Sequence, residues 1–133
     1  MNSEKLTIFD GQKVSFVETM KVKEGVTCDV YSFDSDDSRD LGIVTVLMGN
    51  KTPFQKILLG DKTIEGFISG AGILTIQNES EEIQKYEFPN ITSPQEVEVK
   101  VGELMQWEAD SRTDLMFYEV CYPPYKDGRY ENF

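Results

Sequence analysis

The stretch DKTIEGFISGAGILTI, Asp61 to Ile76, decides the reading of the fold. Two short β-rich runs, KTIEGFIS and GILTIQN, flank a Gly-Ala-Gly step at Gly70 to Gly72. Glycine adopts positive φ at little cost, so the step predicts a tight hairpin between two strands. The same glycines do not make a nucleotide-binding loop. The pattern GxGxxG needs a third glycine where Thr75 stands and a helix after it, whereas ILTIQ continues as strand.

Similar runs lie on both sides of this stretch. KVSFVETMKV alternates Val14 and Phe16 with Ser15 and Val17; CDVYSF follows a Glu24-Gly25 turn; GIVTVLMG is bounded by Gly42 and Gly49. TPFQKILLGD ends in a Gly-Asp turn, IQKYEF ends at Pro89, and QEVEVKVGE alternates Val97, Val99 and Val101 with charged residues. DLMFYEVCY stops at Pro123-Pro124. With the opening pair these make about nine short strands punctuated by glycine and proline, the pattern of an antiparallel sandwich or closed barrel. No segment carries a useful helical period. DSDDSRD, Asp34 to Asp40, reads as a solvated acidic loop. It lacks the glycine and glutamate of a calcium loop, since Arg39 and Thr45 stand at those two positions. A chain of 133 residues without linker or repeat fits one domain, residues 1–133.

The formal charge is −11, from 24 acidic and 13 basic residues. Such a surface repels phosphate backbones and anionic lipid, so neither nucleic acid nor membrane is an expected partner. MNSEKLTIFDGQKVSF lacks the build of a signal peptide, and no apolar run reaches the roughly 18 residues of a membrane span. The expected location is the cytoplasm. Cys28 and Cys121 form no metal or redox motif and are expected to be free, packed as small apolar groups.

Over residues 40–133 the sequence resembles the cupins, small jelly-roll barrels with two motifs. Of the first, G(X)5HXH(X)3–4E(X)6G, Glu65 and Gly72 keep the second half. Its histidine positions fall on Leu58 and Gly60, on Leu59 and Asp61, or, with an insertion, on Gln55 and Ile57. Of the second, G(X)5PXG(X)2H(X)3N, Gly102 is present, while Glu108, Asp110, Thr113 and Phe117 stand at the Pro, Gly, His and Asn positions. The resemblance implies an all-β, antiparallel double-stranded β-helix. Many members hold a transition metal with three imidazoles and a carboxylate. This chain has no histidine, so no metal and no cofactor is expected.

The resemblance implies a cavity open at one end of the barrel, a usual ligand site. Glu65 is the candidate catalytic base or polar anchor. Gln55, Lys56, Thr113, Phe67, Trp107, Leu115 and Phe117 are the further candidate ligand-binding residues, with the Trp107 N–H available to orient a ligand. Strand alternation places 113, 115, 117 and 119 on one face, and Glu65, Phe67 and Ser69 on one face. Alternatively Glu65 is a relic, paired with Lys56 or Arg112 or reaching water. Tyr122, Tyr125 and Tyr130 are read as packing the C-terminal arm. The leading expectation is a binder of a small polar metabolite, a sugar or carboxylate. A metal-independent sugar isomerase or epimerase with Glu65 as base is the second. A structural or regulatory dimer with a filled barrel is the third. A homodimer is expected, because KLTIFDGQKVSF is suited to supplying a strand to a neighbour and the tail is aromatic.

Overall fold

The computed structural model describes residues 5–58, 60–90, 94–124 and 130–132. These residues form twelve strands and no helix: β1 (Ile8–Phe9), β2 (Gln12–Lys23), β3 (Val26–Phe33), β4 (Asp36–Val46), β5 (Gln55–Ile57), β6 (Lys62–Gly70), β7 (Gly72–Gln77), β8 (Ile83–Phe88), β9 (Glu96–Lys100), β10 (Leu104–Ala109), β11 (Leu115–Tyr122) and β12 (Tyr130–Asn132). One sheet runs β1-β2-β3-β4-β11-β6-β9 and the other β12-β5-β10-β7-β8, with every pairing antiparallel. The two sheets form the curled double-stranded β-helix of a jelly roll. Among the described residues, no helix is long and apolar enough to cross a membrane.

Valines, leucines and aromatic rings at alternate strand positions fill the space between the sheets, with Val26, Val46, Ile57, Leu74, Trp107 and Leu115 almost wholly buried. A second cluster lies on the outer face of the larger sheet. There Val14, Tyr31, Phe33, Leu41 and Val120 are covered by Phe9, whose ring meets Phe33 at 6.5 Å and Tyr118 at 4.9 Å. The segment expected to cross to a neighbour, KLTIFDGQKVSF, thus turns at Asp10-Gly11 and packs its Phe9 on its own sheet.

The expected hairpin at Gly70–Gly72 is not one. β6 and β7 belong to different sheets, and β7 pairs with β8 and β10. The chain turns a barrel corner here, and the glycines are needed for closeness as well as for φ. Gly70 has φ of +88°, and a Cβ on it would collide with the Asp114 carbonyl oxygen. A Cβ on Gly72 would collide with the Glu108 carbonyl.

Three of the twelve strands have no counterpart among the runs marked by alternation. β1 and β12 are too short to alternate. In β10, LMQWEA, Met105, Gln106 and Trp107 are buried in succession, so no period of two is visible. Gln106 is accommodated because its amide donates to the Thr52 carbonyl at 3.0 Å. DSDDSRD is not a loop throughout either. Asp34-Ser35 make the turn, and Asp36 to Asp40 begin β4, where Asp36 accepts from Arg39 Nε at 3.0 Å.

Candidate functional site

Side chains directly opposite on antiparallel strands share a face, so the register of the larger sheet sets out the inner wall row by row. One row is Cys28, Val44, Phe117 and Phe67, from β3, β4, β11 and β6. The next is Val30, Gly42, Glu119, Glu65 and Val97, reaching β9. The third is Ser32, Asp40, Cys121, Thr63 and Val99. Two glutamates therefore face each other across β11 and β6, with a glycine on the far side of one of them. An irregularity between Met116 and Phe117 sets Ser69 opposite Met116 instead of continuing the Glu65 and Phe67 face, so Ser69 leaves the interior and is exposed.

Glu65 is 1% exposed. Its Oε1 accepts the Trp107 indole N–H at 2.9 Å. The Trp107 ring stacks on Phe117 at 4.3 Å and meets Phe88 at 5.6 Å, and Phe88 stacks on Phe67 at 5.1 Å. Four rings thus pack behind the carboxyl and fill part of the barrel. Glu65 Oε2 and Thr63 Oγ1 are out of solvent with no hydrogen-bond donor or acceptor of ordinary geometry. Burial drives the Glu65 carboxyl well above the usual carboxylate range, the facing Glu119 adds to it as a like charge and as a carboxyl contact, and the Trp107 and Thr63 hydrogen bonds oppose both. The Thr63 hydroxyl and, whenever one of the two is protonated, the facing carboxyl are the donors that bear on Glu65 besides Trp107. The arrangement is a coupled pair of carboxyls.

Beside this pair, between the sheets, lies a cavity of about 260 Å³. Val26, Val44, Met20 and Phe117 give it apolar walls, and Glu119, Asp40, Gln55, Thr52 and Asn132 line it with polar groups. Gly42 creates part of the space: a Cβ there would approach Cys28 Sγ to 2.9 Å. Cys28 also lines the cavity, and its thiol is pushed far up, first by burial and then by Glu119, Asp29, Asp40 and Glu65. Both cysteines are free, as expected.

The residues expected at the site divide accordingly. Gln55 and Phe117 line the cavity. Gln55 donates to Asn132 at 3.3 Å, bracing the β5–β12 edge. Glu65, Phe67, Trp107 and Leu115 sit in the core behind it, and the Trp107 N–H expected to orient a ligand is taken by Glu65. Lys56 alternates with Gln55 and the buried Ile57, so its side chain projects to the opposite face. Thr113 precedes β11, in the turn, with its hydroxyl 3.5 Å from the Asp114 carbonyl and away from Glu65. Neither expected basic partner reaches Glu65: Arg112 is exposed beside Asp110, and the donor to Glu65 is the Trp107 indole. Of the tail tyrosines, Tyr122 packs on the outer cluster and accepts from Arg39 at 3.3 Å, while Tyr125 lies outside the described residues. Leu59, in one register of the first motif, also lies outside them.

Glu119, Asp40, Cys28 and Asn132 were not among the site residues expected from sequence. Glu119 has a readable signal, since it follows Phe117 by two residues on an alternating strand. The others come from β3, β4 and β12, outside or at the edge of both motifs.

A metal centre of the histidine-rich kind does not fit these residues. Glu65 is turned to an indole and surrounded by rings, and among the described residues no three Cys, Asp or Glu side chains converge as ligands.

No protein-family model and no curated protein matches the chain in sequence. Solved structures do match in shape. The capsular polysaccharide assembling protein CapF from Staphylococcus aureus superposes with a TM-score of 0.68 at 15% identity, over 93% of this chain and 35% of its own. Oxalate decarboxylase from Bacillus subtilis, an enzyme with Mn(II) centres, superposes with a TM-score of 0.70 at 15% identity in one variant, over 88% of this chain and 30% of its own. The chain spans about a third of the length of these proteins. Both neighbours are cupins, and the class defined here is the all-β jelly-roll barrel. Within that class, the chain has the cupin fold.

Proposed function

We propose that the barrel binds a small polar molecule, of about monosaccharide size, in the cavity beside Glu119, and does so without a resident transition metal. The observation carrying this reading is the cavity itself: about 260 Å³, apolar on one side, with Glu119, Asp40, Gln55 and Asn132 as polar groups. Its size is near the lower end of small-molecule sites, roughly 300 Å³. Of the two ligand classes suggested by the sequence, a sugar suits the lining better than a carboxylate, which would face two acidic side chains. A thermal-shift screen of polar metabolites on the full chain tests the proposal, since a ligand that binds only the folded state raises the melting temperature. Gly42→Leu, which fills the space over Glu119, should abolish any such shift; a panel without a single hit on the unsubstituted protein would refute the reading.

The carboxyl pair favours one second reading, a metal-independent isomerase or epimerase with Glu65 as base. Glu119 stands between Glu65 and the cavity and would relay the proton. Solvent-deuterium incorporation into a sugar, lost in Glu65→Gln, would support it; binding without exchange would exclude it. In either reading the partner we propose is a second copy of the chain, paired through β2, whose outer edge residues 7–9 cover from Gln12 to Val14. Sedimentation equilibrium giving only monomer at micromolar concentration would rule that out.

A further inference from the structure

The cavity changes character along its length, and the strand register shows how. Successive inner rows of the larger sheet lie about 6.6 Å apart, two residues per step. The first row is Val26, Val46 and Leu115, each 0% exposed, and it closes that end. The second is Met20, Cys28, Val44 and Phe117. The third brings the first carboxyls, Glu18 at the sheet edge and Glu119 further in, with Val30 and Gly42 between them. The fourth holds Ser32 and Asp40. The cavity touches all four rows, from Val26 at one end to Asp40 at the other. Lys21 of β2 also lines it, and its ammonium is drawn outward to Glu24 at 2.9 Å. On the facing edge Gln55 donates to Asn132, and the Thr52 hydroxyl accepts the Trp107 backbone N–H, so these polar groups are engaged within the protein. A second hollow, of about 670 Å³, adjoins the cavity. Met20, Val30 and Asp40 line both, and the hollow runs on among Glu18, Ser32, Asp36, Asp37 and Arg39.

We propose that the ligand is amphipathic: a sugar or other polyol bearing one short apolar group, which sits among Val26, Met20, Val44 and Phe117 while the hydroxyls donate to Glu119 and Asp40. This assignment rests on the cavity being the ligand site and adds an orientation to it. A fully hydroxylated monosaccharide lying along the cavity would press hydroxyls against the two apolar rows, where no partner meets them, at a cost in free energy. Hydrocarbon buried there is favoured instead. A fatty acid would bring a further negative charge to Glu119 and Asp40. From the Glu119 row to the closing row is two steps, about 13 Å, part of it filled by the side chains themselves. A substituent of a few carbons therefore fits and a long chain does not. The polyol end has room beyond Asp40 in the second hollow, whereas the apolar end meets the closed row.

The test is titration calorimetry on the full chain with two series: glucose and its methyl, butyl and octyl β-glycosides below micelle formation, and the matching galactose compounds. In at least one series affinity should rise with the substituent, by roughly fourfold per methylene buried. The heat-capacity change should grow more negative at each step. The rise should stop by octyl, where the closing row is reached. Butan-1-ol, which carries the apolar end alone, should bind more weakly than the butyl glycoside. Met20→Gln, at a half-buried edge position, and Val44→Thr, of nearly unchanged shape, each put a polar group in the second row and should flatten the rise. Equal affinity for free sugar and butyl glycoside would overturn the amphipathic assignment and leave the cavity standing as a sugar site. A rise that neither variant changes would overturn it too, because the substituent then lies elsewhere. Absence of binding in both series would overturn it as well, while the wider screen with Gly42→Leu decides separately whether the cavity binds anything.

Discussion

Replacing Glu65 by glutamine probes the shared proton through stability. The substitution keeps the shape of the side chain, keeps an oxygen for the Trp107 N–H, and provides an N–H for Glu119, so the fold should persist. Its effect should depend on pH with a definite sign. The Glu65 carboxyl is raised in the folded state, through burial and then Glu119, relative to an unfolded carboxyl at the ordinary value of about 4.3. Between that value and the folded-state value, the native protein binds more protons than the unfolded chain. Its stability therefore falls as pH rises, by about 1.4 kcal/mol per pH unit for one proton. Glu65→Gln removes this dependence. All other titrating groups are common to both proteins, so most of their contribution cancels in the difference. Urea unfolding of parent and variant at several pH values from 5 upward should show the variant gaining on the parent at close to that slope, then levelling off once the pair ionises in the native state. Parallel curves would refute the raised carboxyl. A parent that gains on the variant as pH rises would show the opposite, a carboxylate stabilised by a positive partner.

Trp107→Phe keeps an aromatic ring between Phe88 and Phe117 and deletes the donor to Glu65; a loss of about 1–3 kcal/mol in urea unfolding is expected, and an unchanged midpoint would show that the bond contributes nothing. Gly70→Ala places a Cβ against the Asp114 carbonyl at φ of +88°, so it should cost more than the roughly 1–2 kcal/mol of left-handed strain alone, read as a lowered melting temperature. Chelator should leave the melting temperature unchanged, and elemental analysis of the purified protein should find well under one equivalent of zinc, iron, nickel or manganese; a stoichiometric metal lost with Glu65→Gln would contradict the site described.

The barrel was legible because its code is local. Alternation and turn residues marked KVSFVETMKV, CDVYSF and DLMFYEVCY as strands, and these are β2, β3 and β11. β10 was hidden because a central strand of a sheet facing the core at Trp107 also buries Gln106, through a hydrogen bond made 54 residues away in sequence. The corner at Gly70 and Gly72 was hidden for a related reason. A glycine in a hairpin and a glycine at a sheet switch look alike in sequence, and the carbonyls that demand its bareness, Asp114 and Glu108, come from a distant turn and strand. At the site, Glu65 was found by its spacing to Gly72, and its burial and partner were not. The pairing of Glu65 with Glu119 depends on the register of β6 on β11, which is set by a bulge near Met116. Cys28 and Asp40 reach the cavity only because β3 and β4 extend the same sheet row by row beyond the two motifs.

The measurement that bears most directly on this carboxyl pair is a side-chain carboxyl titration by carbon-13 NMR on glutamate-labelled protein, with Glu65→Gln and Glu119→Gln assigning the two resonances. A shared proton predicts that the pair passes through the ordinary glutamate range, near pH 4.3, without both members ionising, and that the two resonances move together at higher pH. Independent titration of Glu65 and Glu119 near that ordinary value would contradict the shared proton and the carboxyl pair with it.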